Sequence, residues 1–114
     1  MTKIYGIKNC NSMKKTFDWF GGQNEDYEFH DYKKLGIDEK TLKAWCKKVG
    51  WELLVNRRGT TWRKLPDDIK ENIDEKSAIQ AMQENPSLIK RPVIEFNGNY
   101  TIGFDTDAFE ELLT

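Results

Sequence analysis

Hydrophobic period and turn chemistry assign the chain to the α/β class, on three observations. The first thirty residues read strand, turn, helix, strand. Near the other end an Asn-Gly pair divides two short apolar runs into a hairpin that leads into a final helix, and the residues between carry helical spacing. The chain has 114 residues, enough for one domain with one core.

Lys3 to Ile7 is a short apolar run closed by Lys8-Asn9-Cys10-Asn11-Ser12, after which Met13, Phe17 and Phe20 recur along one helix face. Gly21-Gly22 marks the end of that helix, and Tyr27-Glu28-Phe29-His30 alternates as a second strand. Such a β-α-β unit of about 30 residues implies parallel strands and a right-handed crossover. Asp38 is placed to cap the next helix, with Ile37 stapled to Leu42; Leu42, Trp45, Cys46 and Val49 share one face before Gly50. Trp51 to Leu65, rich in Arg, Gly and Thr, reads as irregular. Leu65, Ile69 and Ile73, then Ala78, Ile79 and Met82, mark two short helices ending at Asn85-Pro86. Val93 to Phe96 and Tyr100 to Ile102 flank Asn97-Gly98, a pair suited to a turn whose two central residues need positive φ. Phe104 and Asp105 repeat the staple and cap for a last helix, with Ala108, Phe109, Leu112 and Leu113 as its buried stripe.

Eighteen basic against nineteen acidic residues leave a net charge of −1, which argues against a global grip on nucleic acid or on an anionic membrane. Any anion binding has to be local. The start, Met-Thr-Lys-Ile-Tyr-Gly-Ile-Lys, has neither the apolar core nor the cleavage site of a signal peptide, and no run is long enough to span a membrane, so a cytoplasmic protein is expected. In that compartment Cys10 and Cys46 are expected as free thiols. A single histidine, His30, leaves too few ligands for tetrahedral zinc, and no metal site is expected.

Cys10 falls in the turn before the first helix, where backbone N–H groups, the positive dipole end, and Lys8, Lys14 and Lys15 nearby in sequence stabilise a thiolate. The bland alternative, a small buried hydrophobe, fits Cys46 on its apolar stripe better. Met13 stands where a second cysteine would complete a Cys-x-x-Cys pair, so a resolving thiol must come from elsewhere. Asn56-Arg57-Arg58-Gly59-Thr60-Thr61-Trp62-Arg63-Lys64 concentrates cations, hydroxyls and a glycine: either an anion site in which Arg grips an oxyanion with two hydrogen bonds, or a solvated basic loop. Trp62 is expected in the core rather than stacked on a base. Lys90-Arg91-Pro92 puts a cation and a proline at the start of a strand. His30 is expected as a structural histidine.

Taken together, Tyr5-Gly6-Ile7-Lys8-Asn9-Cys10, Asn56 to Leu65 and Leu88-Ile89-Lys90-Arg91-Pro92 resemble the arsenate reductase (ArsC)/Spx family, most closely its YffB-type branch. The resemblance spans nearly the whole chain. It implies one domain over residues 1–114 with a thioredoxin-like fold. A four-stranded mixed sheet from residues 1–35 and 88–114 would be interrupted by a helical insertion over about 36–87. It implies a redox role for Cys10, an anion site formed by Arg91, Arg58 and, within the alignment, Arg57 and Lys14, and a cis Pro92 beside the thiol with Asn11 and Ser12 in the same turn. A thiol-dependent reductase is implied, with no bound cofactor. Glutathione or a glutaredoxin-like protein would be the donor, and a small oxyanion or a disulfide the substrate. Two departures speak against efficient arsenate reduction: Ile102-Gly103-Phe104 stands where arsenate reductases carry a further arginine, and Asn11-Ser12-Met13-Lys14 replaces their Gly-Thr-Ser-Arg. The competing expectation is an Spx-like regulator that binds RNA polymerase without reductase activity.

Overall fold

The structure, a computed structural model, describes residues Thr2–Thr114. They form two compact units, one running up to Leu35 and resuming at Arg91–Thr114, the other Gly36–Lys90.

In the first unit, strand β1 (Thr2–Gly6) leads into helix α1 (Asn11–Gly22), strand β2 (Tyr27–Asp31) and the one-turn helix α2 (Tyr32–Leu35). Strands β3 (Val93–Phe96) and β4 (Asn99–Ile102) and helix α8 (Thr106–Leu113) complete it. The sheet order is β2-β1-β3-β4. β1 pairs parallel to β2, with Tyr5 opposite His30, and antiparallel to β3, with Tyr5 opposite Val93. The mixed sheet therefore sets Tyr5 between the end of β2 and the start of β3. Asn97 and Gly98 both have positive φ, 51° and 80°, as the hairpin turn requires. Ile4, Met13, Phe20, Ile94 and Phe109 are fully buried together, with Phe17, Trp19, Phe29 and Leu112 packed around them. The last helix starts as its sequence predicts: Asp105 accepts from Ala108 N–H at 3.1 Å, and the Phe104 ring meets Phe109 edge-on at 5.7 Å. Gly6 owes its identity to this core, since a Cβ there would run into Met13 Sδ.

The second unit carries α3 (Glu39–Val49), α4 (Trp51–Leu54), α5 (Thr60–Arg63), α6 (Asp67–Glu71), α7 (Glu75–Glu84) and a 3₁₀ turn at Pro86–Leu88. Helix α3 packs on α7, and Leu42, Trp45, Leu54, Val55, Ala78, Met82, Leu88 and Ile89 are buried. Asp38 caps α3 by accepting from Thr41 N–H at 2.8 Å, and Gly50 ends it with φ 87°. Asp74 and Ser77 close a reciprocal capping box on α7.

Local structure departs from the sequence reading in two places. Trp51 to Leu65 is not irregular, because α4 and α5 each supply one helical turn; four-residue turns are too short to leave a periodic signal. The same brevity hides α2. Helix α1 ends at Gly22, as the Gly21-Gly22 pair predicts, and the left-handed residue that follows is Asn24, φ 54°.

Candidate active site

Cys10 is the N-cap residue of α1, in extended backbone (φ −140°, ψ 136°), and its carbonyl accepts from Lys14 N–H at 2.9 Å. The first turn of α1 holds no acidic side chain, so nothing there competes for the unsatisfied N–H groups and the positive dipole end. The residue is half-buried and packs against the sheet core. As a thiol it makes no side-chain cap bond; the donors around it act on the ionised sulfur. Partial burial pushes the thiol up, but hydrogen bonding from the Arg91 side chain and from the N–H groups of Met13 and Ser12, with the charge of Arg91, outweighs burial. The net result is a thiol below its ordinary value of 9.0.

Arg91 belongs to this site through the sheet: it lies two residues ahead of Val93, the partner of Tyr5 on β1. The Arg91-Pro92 peptide is cis, and the buried Pro92 accepts from Gly103 N–H through its carbonyl at 2.8 Å. An aromatic cluster stands in the same unit. Tyr5 lies 5.1 Å from His30 and 6.5 Å from Tyr32 between ring centroids, and His30 lies 6.2 Å from Tyr32. Burial pushes the Tyr32 hydroxyl well up, the Tyr5 hydroxyl adds to this, and the charge of Arg91 opposes it. One guanidinium thus acts electrostatically on both Tyr32 and Cys10. Tyr32, 1% exposed, carries no sequence signal beyond its place after a strand. His30 is a half-buried ring partner here.

Cys10, Arg91, Pro92 and Ser12 come together in one unit. Asn11 and Lys14 are exposed on the first turn of α1, and the Ser12 carbonyl accepts from the buried Thr16 hydroxyl at 2.7 Å. Arg57 and Arg58 lie in the other unit, with Glu52, Val55, Asn56 and Lys90. Trp62, expected in the core, is half-buried instead, with the Arg57 guanidinium 5.4 Å from its ring centroid; the flanking cation holds the ring at the surface. Cys46 is buried in α3, and burial, aided by Glu75, pushes its thiol up to about 11. Among the described residues no three His, Cys, Asp or Glu side chains are placed to hold a metal ion, and no helix is long and apolar enough to cross a membrane.

A mixed four-stranded sheet with a cysteine capping the first helix and a cis-proline opening the third strand defines a thioredoxin-like α/β protein. A glutaredoxin from Archaeoglobus fulgidus shares the fold at TM-score 0.54 and 15% identity, over 98% of this chain and 84% of that one. Residues 5–112 match the ArsC family, and the chain belongs to it. It is similar to a solved YffB protein, 45% identical, TM-score 0.96, with all of each chain covered. It is also similar to an ArsC-related protein from Brucella melitensis, 48% identical, TM-score 0.79, covering 99% of this chain and 94% of that one. An uncharacterized protein of Haemophilus influenzae is 40% identical over 96% of either chain. The global transcriptional regulator Spx of Streptococcus pyogenes is 26% identical over 100% of this chain and 86% of its own length.

Proposed function

We propose that the protein is a cytoplasmic thiol-dependent reductase in which Cys10 is the nucleophile and Arg91 stabilises its thiolate. The observation that carries this reading is the place of half-buried Cys10 at the N-cap of α1, where Arg91 and the Met13 and Ser12 N–H groups hold its thiol below the ordinary value. The thiolate attacks one sulfur of a disulfide substrate; the S–S bond breaks, the departing sulfur leaves as a thiolate and takes a proton, and Cys10 is left in a mixed disulfide. A donor thiol, from glutathione or a glutaredoxin-like protein, then attacks the substrate sulfur of that bond and releases Cys10, and a second donor thiol attacks the resulting donor–substrate disulfide, freeing the substrate thiol and leaving a donor disulfide. Two electrons pass from two donor thiols to one substrate disulfide, and no bound cofactor is needed.

The packing supports external resolution. Met13, three residues after Cys10, is fully buried in the sheet core, and Cys46 is held protonated and buried. Lys14 and Arg58 are proposed as further cations for an anionic substrate. The two departures from the arsenate reductase pattern make a disulfide the better substrate than arsenate.

Intact-mass measurement after incubation with oxidised glutathione tests the reading. One glutathione adduct on wild type and none on Cys10→Ser is the expected result. An intramolecular disulfide, or no adduct on either protein, would overturn it, and the second of these outcomes would favour an Spx-like module docking on RNA polymerase.

A further inference from the structure

Two polar side chains flank the end of β1 that leads to Cys10. On one side, Asp31 closes β2 opposite Gly6, and its carboxylate accepts from Lys33 N–H at 2.9 Å, so the chain turns out of the strand at Tyr32. On the other, Arg91 precedes the cis Pro92 and lies two residues ahead of Val93, the partner of Tyr5. Strands β2 and β3 stand about 10 Å apart across β1, a gap that a tyrosine and an arginine side chain together can span. The Tyr32 ring leans toward β1: it stacks on Tyr5 at 6.5 Å between centroids with the planes 24° apart, and His30 meets it edge-on at 6.2 Å.

Tyr32 is 1% exposed, and its hydroxyl oxygen and the Arg91 Nε are both buried atoms. A phenylalanine would fill the same space without the cost of burying a hydroxyl, so the oxygen calls for an electrostatic reason. A cation supplies one, because a guanidinium and a phenol dipole held away from water attract more strongly than at the surface. The charge of Arg91 acts on the Tyr32 hydroxyl, and burial keeps that hydroxyl protonated well beyond its ordinary range. The phenol therefore stays neutral where Cys10 titrates. A carboxylate in its place would cancel the charge that favours the thiolate; a neutral oxygen holds the guanidinium and leaves its charge intact.

We infer that Tyr32 is a positioning residue for the reductase: its neutral hydroxyl oxygen, set at the end of β2, seats the Arg91 guanidinium by charge–dipole attraction beside the Cys10 sulfur. A long arginine side chain samples many rotamers, and each one that carries the guanidinium away weakens its hold on the thiolate. The inference rests on the reading of Cys10 as the nucleophile and Arg91 as the cation that stabilises it.

The test follows iodoacetamide alkylation of Cys10 against pH, read by mass spectrometry, in wild type, Tyr32→Phe, Arg91→Ala and the double variant. Tyr32→Phe keeps the ring and removes only the oxygen. Its midpoint should rise, by less than in Arg91→Ala, and alkylation at neutral pH should slow about twofold. In the double variant the loss of the oxygen should add nothing to the effect of Arg91→Ala, since there is no cation left to seat. An unchanged Tyr32→Phe profile overturns the inference, and so does an equal further slowing in the Arg91→Ala background, which marks a general loosening of the core; both outcomes leave the role of Arg91 standing. If Arg91→Ala itself alkylates as wild type does, the reading of Arg91 fails and the inference falls with it. Should Tyr32→Phe not fold, wild type and Arg91→Ala carrying 13C at the tyrosine ζ carbon decide the matter by NMR: the Tyr32 signal should move when Arg91 is removed, and an unmoved signal overturns the inference.

Discussion

Cys10 stands ahead of the first turn of α1, half-buried, where backbone N–H groups and the Arg91 guanidinium meet its sulfur. Cys46 stands in the last turns of α3, 6% exposed, beside Trp45 on the face that also buries Leu42. A helix presents unsatisfied donors at its start and acceptors at its end, so the two positions push a thiolate in opposite directions before any neighbour is counted. Neighbours then widen the gap: a cation beside Cys10, a carboxylate from Glu75 near Cys46. The same side chain becomes a nucleophile in one place and a packing atom in the other.

The largest expected effect tests that division outright. Native protein treated with iodoacetamide at neutral pH should be alkylated at Cys10 at least 100-fold faster than at Cys46, because a buried thiol held near 11 is almost wholly protonated and inaccessible. Peptide mapping by mass spectrometry checks this, and comparable labelling of both would erase the contrast.

Removing the cation should narrow it from one side. Arg91→Ala should raise the Cys10 pKa, followed as thiolate absorbance against pH. It should slow alkylation at neutral pH by about three- to tenfold, since the lost thiolate fraction is partly offset by a more nucleophilic sulfur. Arg91→Lys should restore part of the shift, because an ammonium returns charge without the planar fork.

Alkaline pH probes the other side. The folded-state pKa of Cys46 is raised, so its contribution to stability is fully present below the unfolded value of 9.0 and is lost as pH rises toward about 11. Two pH units correspond to roughly 3 kcal/mol at most. Cys46→Ala should be less stable than wild type at pH 7 for lack of packing, yet lose less stability between pH 9 and 11 in urea denaturation. Cys10 has the opposite sign: its folded-state pKa is lowered, so its contribution is present above 9.0 and lost as pH falls through the folded value.

The smallest effect concerns the cap of the helix that hides Cys46. Asp38→Ala removes the bond to Thr41 N–H and should cost about 1 kcal/mol. If Cys46 reacts by local opening of α3, its labelling should rise about fivefold while Cys10 is unchanged. Equal acceleration of both would mean that Cys46 reacts only through global unfolding.

Much of this was legible in the chain itself, because the physics involved is local. Helix starts at Asp38 and Asp105, the Asn97-Gly98 turn, and the placing of Cys10 before a helix and Cys46 within one all follow from spacing and turn chemistry over a few residues. The one-turn helices α2, α4 and α5 were not legible, since their formation depends on packing rather than on periodicity. Nor could any local rule bring Arg91 to Cys10 across 81 positions: the resemblance to a family implied it, but the pairing of Val93 with Tyr5 on β1 brings it about physically. Lys90 joins Arg57 and Arg58 through the bridge between Val55 and Ile89, again a long-range hydrogen-bonded contact. Which residues form elements was settled by short-range stereochemistry and amphipathic period. Which distant charges meet was decided only when sheet register and buried backbone pairing closed the fold, because those bonds join segments that no local preference relates.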